Sequence, residues 1–149
     1  MTKHLLPIIT LIGSTIFLPF VCNADSSDEI ITKRIRGMQN ADLIMSQIKR
    51  SVVQKDFKQL NQKTVILKKL AKKMVTFFPI GTEASTDNFS AASIEIWEQP
   101  VKFNHLIKTL QSNVRDMLSA SKNNDLNRYN KTFLSTKQLC NSCHEKFRN

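Results

Sequence analysis

Residues 125–149 read DLNRYNKTFLSTKQLCNSCHEKFRN. Leu126, Tyr129, Phe133, Thr136, Cys140, Cys143 and Phe147 recur in alternating steps of three and four. That period predicts an amphipathic helix beginning near Asp125. Its apolar stripe carries two cysteines three residues apart, and His144 follows the second at once. His144 is also four residues past Cys140, so all three side chains share one side of the helix.

The same period recurs upstream. Ile31, Ile35, Met38, Ala41, Met45, Ile48 and Val52 predict a helix over 28–53, opened by the capping and acidic residues of DSSDE at 25–29. Gly37 weakens this helix locally and admits a close neighbour to its backbone. Phe57, Leu60, Leu67, Ala71, Met74 and Phe78 predict a second helix over 56–78, stopped by Pro79. Residues 79–99 keep no sustained period and collect Gly, Pro, Ser, Thr and Asn, the composition of a long crossover loop, with a short helical turn within 91–97. Pro100 suits the first turn of a third helix over 100–121, lined by Phe103, Leu106, Leu110, Val114 and Met117. A polar turn, SKNND at 121–125, leads into the last helix. With no strand pattern, two short turns and one longer connection, the expected class is all-α, an antiparallel four-helix bundle.

The chain has 149 residues and a formal charge of +10. Residues 1–24, MTKHLLPIITLIGSTIFLPFVCNA, have a short basic start, an apolar run and small residues at the end, the layout of an export signal peptide cleaved after Ala24. A retained anchor is the alternative. Pro7, Gly13 and Pro19 interrupt the run, and Phe20 and Val21 are too bulky for lipid attachment at Cys22. Cleavage leaves one domain, residues 25–149, exported to the periplasm. It holds all 12 acids and 21 of the 22 Lys and Arg residues, a net +9 that favours anionic partners without specifying a fold.

Cleavage also removes Cys22, leaving Cys140 and Cys143. A disulfide between them would close almost no loop and stabilise little. A zinc site needs about four ligands, and the domain offers only His105 besides the motif. A thioredoxin-like pair belongs to a βαβ setting that this chain lacks. C-x-x-C-H is the attachment motif of c-type haem. Two thiols add to the two vinyl groups on one porphyrin edge, and the adjacent imidazole reaches the iron as proximal ligand. The motif therefore predicts one haem c per chain, held by Cys140 and Cys143 with His144 on the iron.

These residues resemble a family. Arg34 with Met38 four residues later, FPIGT after the second helix, Ile96–Trp97 followed by Phe103, and CNSCHEKFR at the C-terminus stand in the order found in class II c-type cytochromes, the group of cytochrome c′ and its methionine-ligated low-spin relatives. The resemblance spans nearly all of residues 25–149. It implies an antiparallel four-helix bundle with haem on the last helix, often assembled as a homodimer, and it implies that Met38 lies over the haem face opposite His144. A thioether there either coordinates iron or packs as an adaptable core residue.

Arg34 and Arg148 are candidates for pairing with the haem propionates, since a guanidinium binds carboxylate in bidentate fashion. His105 is turned away from its helix's core stripe, toward the surface. Lys68, Lys69, Lys72 and Lys73 form a solvated helix face or a docking face for an acidic redox partner. Basic residues are not interleaved with stacking aromatics, so nucleic acid is not expected as a partner. No Ser-His-Asp set, paired carboxylates or Gly-rich phosphate loop points to an enzyme. Two functions remain. With Met38 on iron the protein is a one-electron carrier. With Met38 off iron, the open position binds nitric oxide or carbon monoxide.

Overall fold

The computed structural model of the chain describes residues 25–149, so the leader read from residues 1–24 lies outside the described residues. The helices are α1 (Ser27–Gln54), α2 (Phe57–Lys73), a short α3 (Glu95–Glu98), α4 (Pro100–Lys122) and α5 (Leu126–Phe147). Four of them match the four apolar periods to within a few residues. The second differs in its last turn, which tightens into a 3-10 turn at Met74–Phe77 before Pro79. The helical turn expected within 91–97 is α3.

Local chemistry sets the boundaries. Ser26 caps α1 by accepting from the Glu29 amide, Asp56 caps α2 through Gln59, and Asp125 caps α5 through Arg128. Pro100 opens α4 at a position where a missing N–H costs nothing. Both tight turns use a left-handed residue, Lys55 at φ 55° and Asn124 at φ 52°. Gly37 meets the close neighbour expected of it: a Cβ there would stand 2.8 Å from the Phe77 ring.

The long helices run alternately up and down. α1 packs along α2, α2 along α4 and α4 along α5. The ring is looser on its fourth side, where the backbones of α1 and α5 do not come close. The main core lies toward the end holding the 55–56 and 123–125 turns. Ile44 and Ile48, Leu60 and Leu67, Leu110, Val114 and Met117, and Tyr129 and Phe133 bring all four long helices into it. A second cluster, Ala92, Ile96, Phe103, Ile107 and Phe147, sits at the opposite end and draws on α4, α5 and the crossover region. The apolar interior is thus continuous at one end of the bundle and one-sided at the other.

One buried polar pair crosses the main core. The Tyr129 and Thr64 hydroxyls are 2.6 Å apart, and Thr64 also donates to the Leu60 carbonyl at 2.7 Å. Tyr129 is therefore the donor in the pair, and burial pushes its phenol pKa up to about 12. The two ends of this bond differ in consequence. Tyr129→Phe leaves Thr64 bonded to Leu60 and should cost about 1 kcal/mol, whereas Thr64→Val strands a buried phenol and should cost about 1–3 kcal/mol. Urea titration of each variant measures this, and the double variant should recover part of the Thr64→Val loss.

Candidate functional site

The motif residues lie on the last two turns of α5, at the end where the ring is open. Cys140 and Cys143 are free thiols, both half-buried. Cys143 packs against the second cluster, beside Trp97 and Phe78. Burial pushes its thiol up to about 11, helped by Cys140. The Cys140 thiol is also raised by burial, with Asp42 of α1 adding to the effect. Both sulfurs are thus held protonated. His144 shifts the other way: burial, then the Arg148 cation, lowers its pKa. A neutral imidazole with a free lone pair is the form that ligates a metal. His144 is only partly covered, its outer side open to solvent, and Arg148 is exposed.

Asp42 lies near enough to Cys140 for its charge to be felt there. It acts on Cys140 from α1, and the two helices run in opposite directions. Each residue advances 1.5 Å along a helix, so Met38 on α1 and His144 on α5 each lie about one turn nearer the crossover-loop end of the bundle than Asp42 and Cys140. Four more residues toward that end lead to Arg34 on α1 and to Arg148 just after α5. Met38 is half-buried, on the same side of α1 as the buried Ile31 and Arg34.

Arg34, a candidate for pairing with a propionate, is where the structure adds most to the sequence. Its guanidinium is buried, 4% exposed, and engaged by the crossover loop. Nη1 donates to the Phe77 carbonyl and the Thr82 hydroxyl, both at 3.0 Å, and Nη2 donates to the Thr82 carbonyl and the Ser90 hydroxyl, both at 2.6 Å. The Phe78 ring lies under the same group, 5.0 Å from Cζ to centroid. No carboxylate pairs with it among the described residues. Burial lowers its pKa, yet an arginine remains charged in a protein.

The other end of the loop is tied to α5. Ser93 donates to the Phe147 carbonyl and Asn149 to the Ala91 carbonyl, both at 3.0 Å, closing an antiparallel bridge between Ala92 and Arg148. Thr82, Ser90 and Ser93 escaped the sequence reading, because a loop acceptor has no period. FPIGT at 78–82 was the nearest signal. His105 is exposed on α4, as expected from its phase.

The side chains present suit a covalently held porphyrin. Two thiols one helical turn apart stand beside a neutral imidazole, and Phe78, Trp97, Phe103 and Phe147 form an apolar, aromatic wall next to them. Phe103 packs edge-on against Phe78 and Phe147, with centroids 4.8 and 5.3 Å away. Among the described residues, the buried Trp97 indole N–H has no acceptor and Glu95 Oε2 has no donor. Among the described residues no group of three or more His, Cys, Asp or Glu side chains gathers to hold a bare metal ion.

Comparison with known proteins agrees with this arrangement. The chain matches solved cytochromes c′: that of Thermochromatium tepidum at 19% identity and TM-score 0.76, over 84% of this chain and 98% of that one, and that of Alcaligenes xylosoxidans at 20% and 0.76, over 85% and 99%. A cytochrome c′ described for ligand-controlled dimer dissociation matches at 18% identity and TM-score 0.78, over 85% and 98%. No curated protein sequence matches the chain. At such identities the structures establish the four-helix fold. The sequence profile described as Cytochrome C′ matches residues 29–148, and on that extent the chain belongs to the cytochrome c′ family, whose members carry one covalently attached haem c per chain.

Proposed function

We propose that this protein is an exported one-electron carrier of the periplasm, with haem c bound through Cys140 and Cys143 and iron held by His144. The observation that carries the reading is the juxtaposition on α5 of two half-buried thiols and an imidazole kept neutral, facing a side of the bundle where α1 and α5 do not close. Bound haem supplies a one-electron iron couple. The chain supplies the rest. Helix α5 would hold one porphyrin edge through Cys140 and Cys143, the aromatic wall would exclude water beside it, and α1 would offer the uncharged Met38. The buried Arg34 cation and the exposed Arg148 stabilise propionate charge. A carrier changes little between its two oxidation states, and a site pinned covalently to a packed helix suits that requirement.

Exposed lysines on α2, Lys68, Lys69, Lys72 and Lys73, make no ion pair among the described residues. They would steer an acidic redox partner, an effect that falls with ionic strength. Assembly as a homodimer draws support from the relative with ligand-controlled dimer dissociation.

A second reading has its own support. An Alcaligenes xylosoxidans cytochrome c′ variant similar to this chain, at 19% identity and TM-score 0.76 over 85% of this chain and 98% of that one, is described in its ferrous state with bound NO. If Met38 stays off the iron, the same pocket binds nitric oxide or carbon monoxide.

Two experiments test these assignments. Protein exported alongside a haem-attachment system should carry one haem per chain that resists acid-acetone extraction, and Cys140→Ala with Cys143→Ala should abolish it. Complete extraction from the wild type would refute attachment. For Met38, the oxidised wild type should be low-spin with a weak band at the red end of the visible spectrum. That band should vanish in Met38→Ala, and carbon monoxide should bind slowly before the substitution and readily after it. A high-spin wild type that takes up carbon monoxide readily would make the gas-binding reading the correct one.

A further inference from the structure

The backbones of the two helices that carry Met38 and His144 stand apart, and both helices reach the main core through their side chains. What spans them at the open end is the crossover loop. Its 77–90 stretch is bound to α1 by the Arg34 guanidinium, through four hydrogen bonds and the Phe78 ring. Its 91–93 stretch is zipped to the end of α5 by the Ser93 and Asn149 amides. The loop is cross-braced between these anchors, for Ser90 Oγ donates to the Thr82 carbonyl at 3.0 Å and accepts from the Ala92 amide at 3.2 Å. Thr82 Oγ1, which accepts from Arg34, donates to the Pro79 carbonyl at 2.9 Å. The strap thus joins Arg34, one turn before Met38 on α1, to Phe147 and Asn149, one turn or so past His144 on α5.

We propose that Arg34 is a positioning residue: it holds the crossover loop as a strap from α1 to α5, and the strap sets the separation between Met38 and His144. The inference rests on the haem reading above and deepens it. It assigns control of the sixth iron position to a residue that acts through a loop. The guanidinium suits this task because its planar fork reaches four acceptors at once. A lysine supplies the same charge at a single nitrogen. Charge and strap can therefore be separated by substitution.

The test uses the exported holoprotein and three variants: Arg34→Lys, Arg34→Leu, and Thr82→Val with Ser90→Ala, which leaves the arginine in place. In all three, hydrogen exchange at the Ser93 and Asn149 amides should quicken by about tenfold, as local opening of a tied segment predicts. The same variants should change the ratio of low-spin to high-spin bands and the carbon monoxide association rate by about threefold or more, in line with a small shift of a poised ligand. The proposal is overturned if Arg34→Lys keeps wild-type exchange and carbon monoxide rates while Arg34→Leu alone departs from them, since Arg34 would then act through charge only. It is also overturned if exchange quickens in every variant while spin state and carbon monoxide binding stay unchanged. Haem content measured on the same samples separates the two failures: wild type without covalent haem defeats the haem reading itself, whereas full haem with unmoved spectra defeats only the strap.

Discussion

A charged side chain with no counter-charge among the described residues sits inside this protein, and one end of the bundle is built around it. Removing an ion from water costs several kcal/mol even after the surroundings relax. Arg34 offsets that cost with four acceptors, each hydrogen bond to a charged donor contributing about 1.5–3 kcal/mol, and with the face of Phe78. All of these partners come from residues 77–90, a stretch without long regular structure. The dependence is mutual. Without the loop, the guanidinium is buried and unsatisfied; without the guanidinium, the loop loses its anchor on α1. Gly37 belongs to the same arrangement, since only a residue without Cβ lets Phe77 approach α1 so closely.

The opposite end has a different logic. There, all four long helices contribute to a continuous core, and one hydroxyl pair between Thr64 and Tyr129 is its main polar commitment. Such a core needs no loop to hold it. At the open end the larger apolar cluster gathers on the α4 and α5 side, and α1 is held by polar bonds to the loop together with the close approach of Gly37 to Phe77. The separation leaves room for function. A closed, self-complementary core would fill the seam between α1 and α5 with side chains, and the thiols and imidazole of α5 would face a neighbour already packed against them.

The helices were legible because burial imposes a period. The steps of three and four placed each long helix within a few residues of its observed bounds, and Asp56, Pro100 and Asp125 stood where capping and first-turn chemistry require them. Cys140, Cys143 and His144 were legible because their spacing is itself the chemical requirement. Arg34 was recognised as special, but its partners were not. Two of its four acceptors are backbone carbonyls, of Phe77 and Thr82, which any sequence would provide. The other two are hydroxyls of Thr82 and Ser90 in a loop rich in such groups. The bridge between Ala92 and Arg148 is likewise a backbone event. The tightening of the α2 terminus to a 3-10 turn was hidden for a related reason: Met74 and Phe78 keep the same apolar phase whichever way the backbone turns between them.

One helix carries both halves of the molecule. Along α5, a single stripe runs from Tyr129, Phe133 and Thr136, fully committed to the core, to Cys140 and Cys143, only half covered, and back to the buried Phe147. Covered sulfur is protonated sulfur, and the thiolate is the form that attacks a disulfide. By the same chemistry, burial slows oxidation of the pair. The same partial cover leaves the sulfurs reachable from the seam. Fuller burial would close the site, and fuller exposure would yield reactive thiolates. The half-buried position follows from α1 and α5 standing apart, and in this fold that separation is spanned by the loop that Arg34 holds.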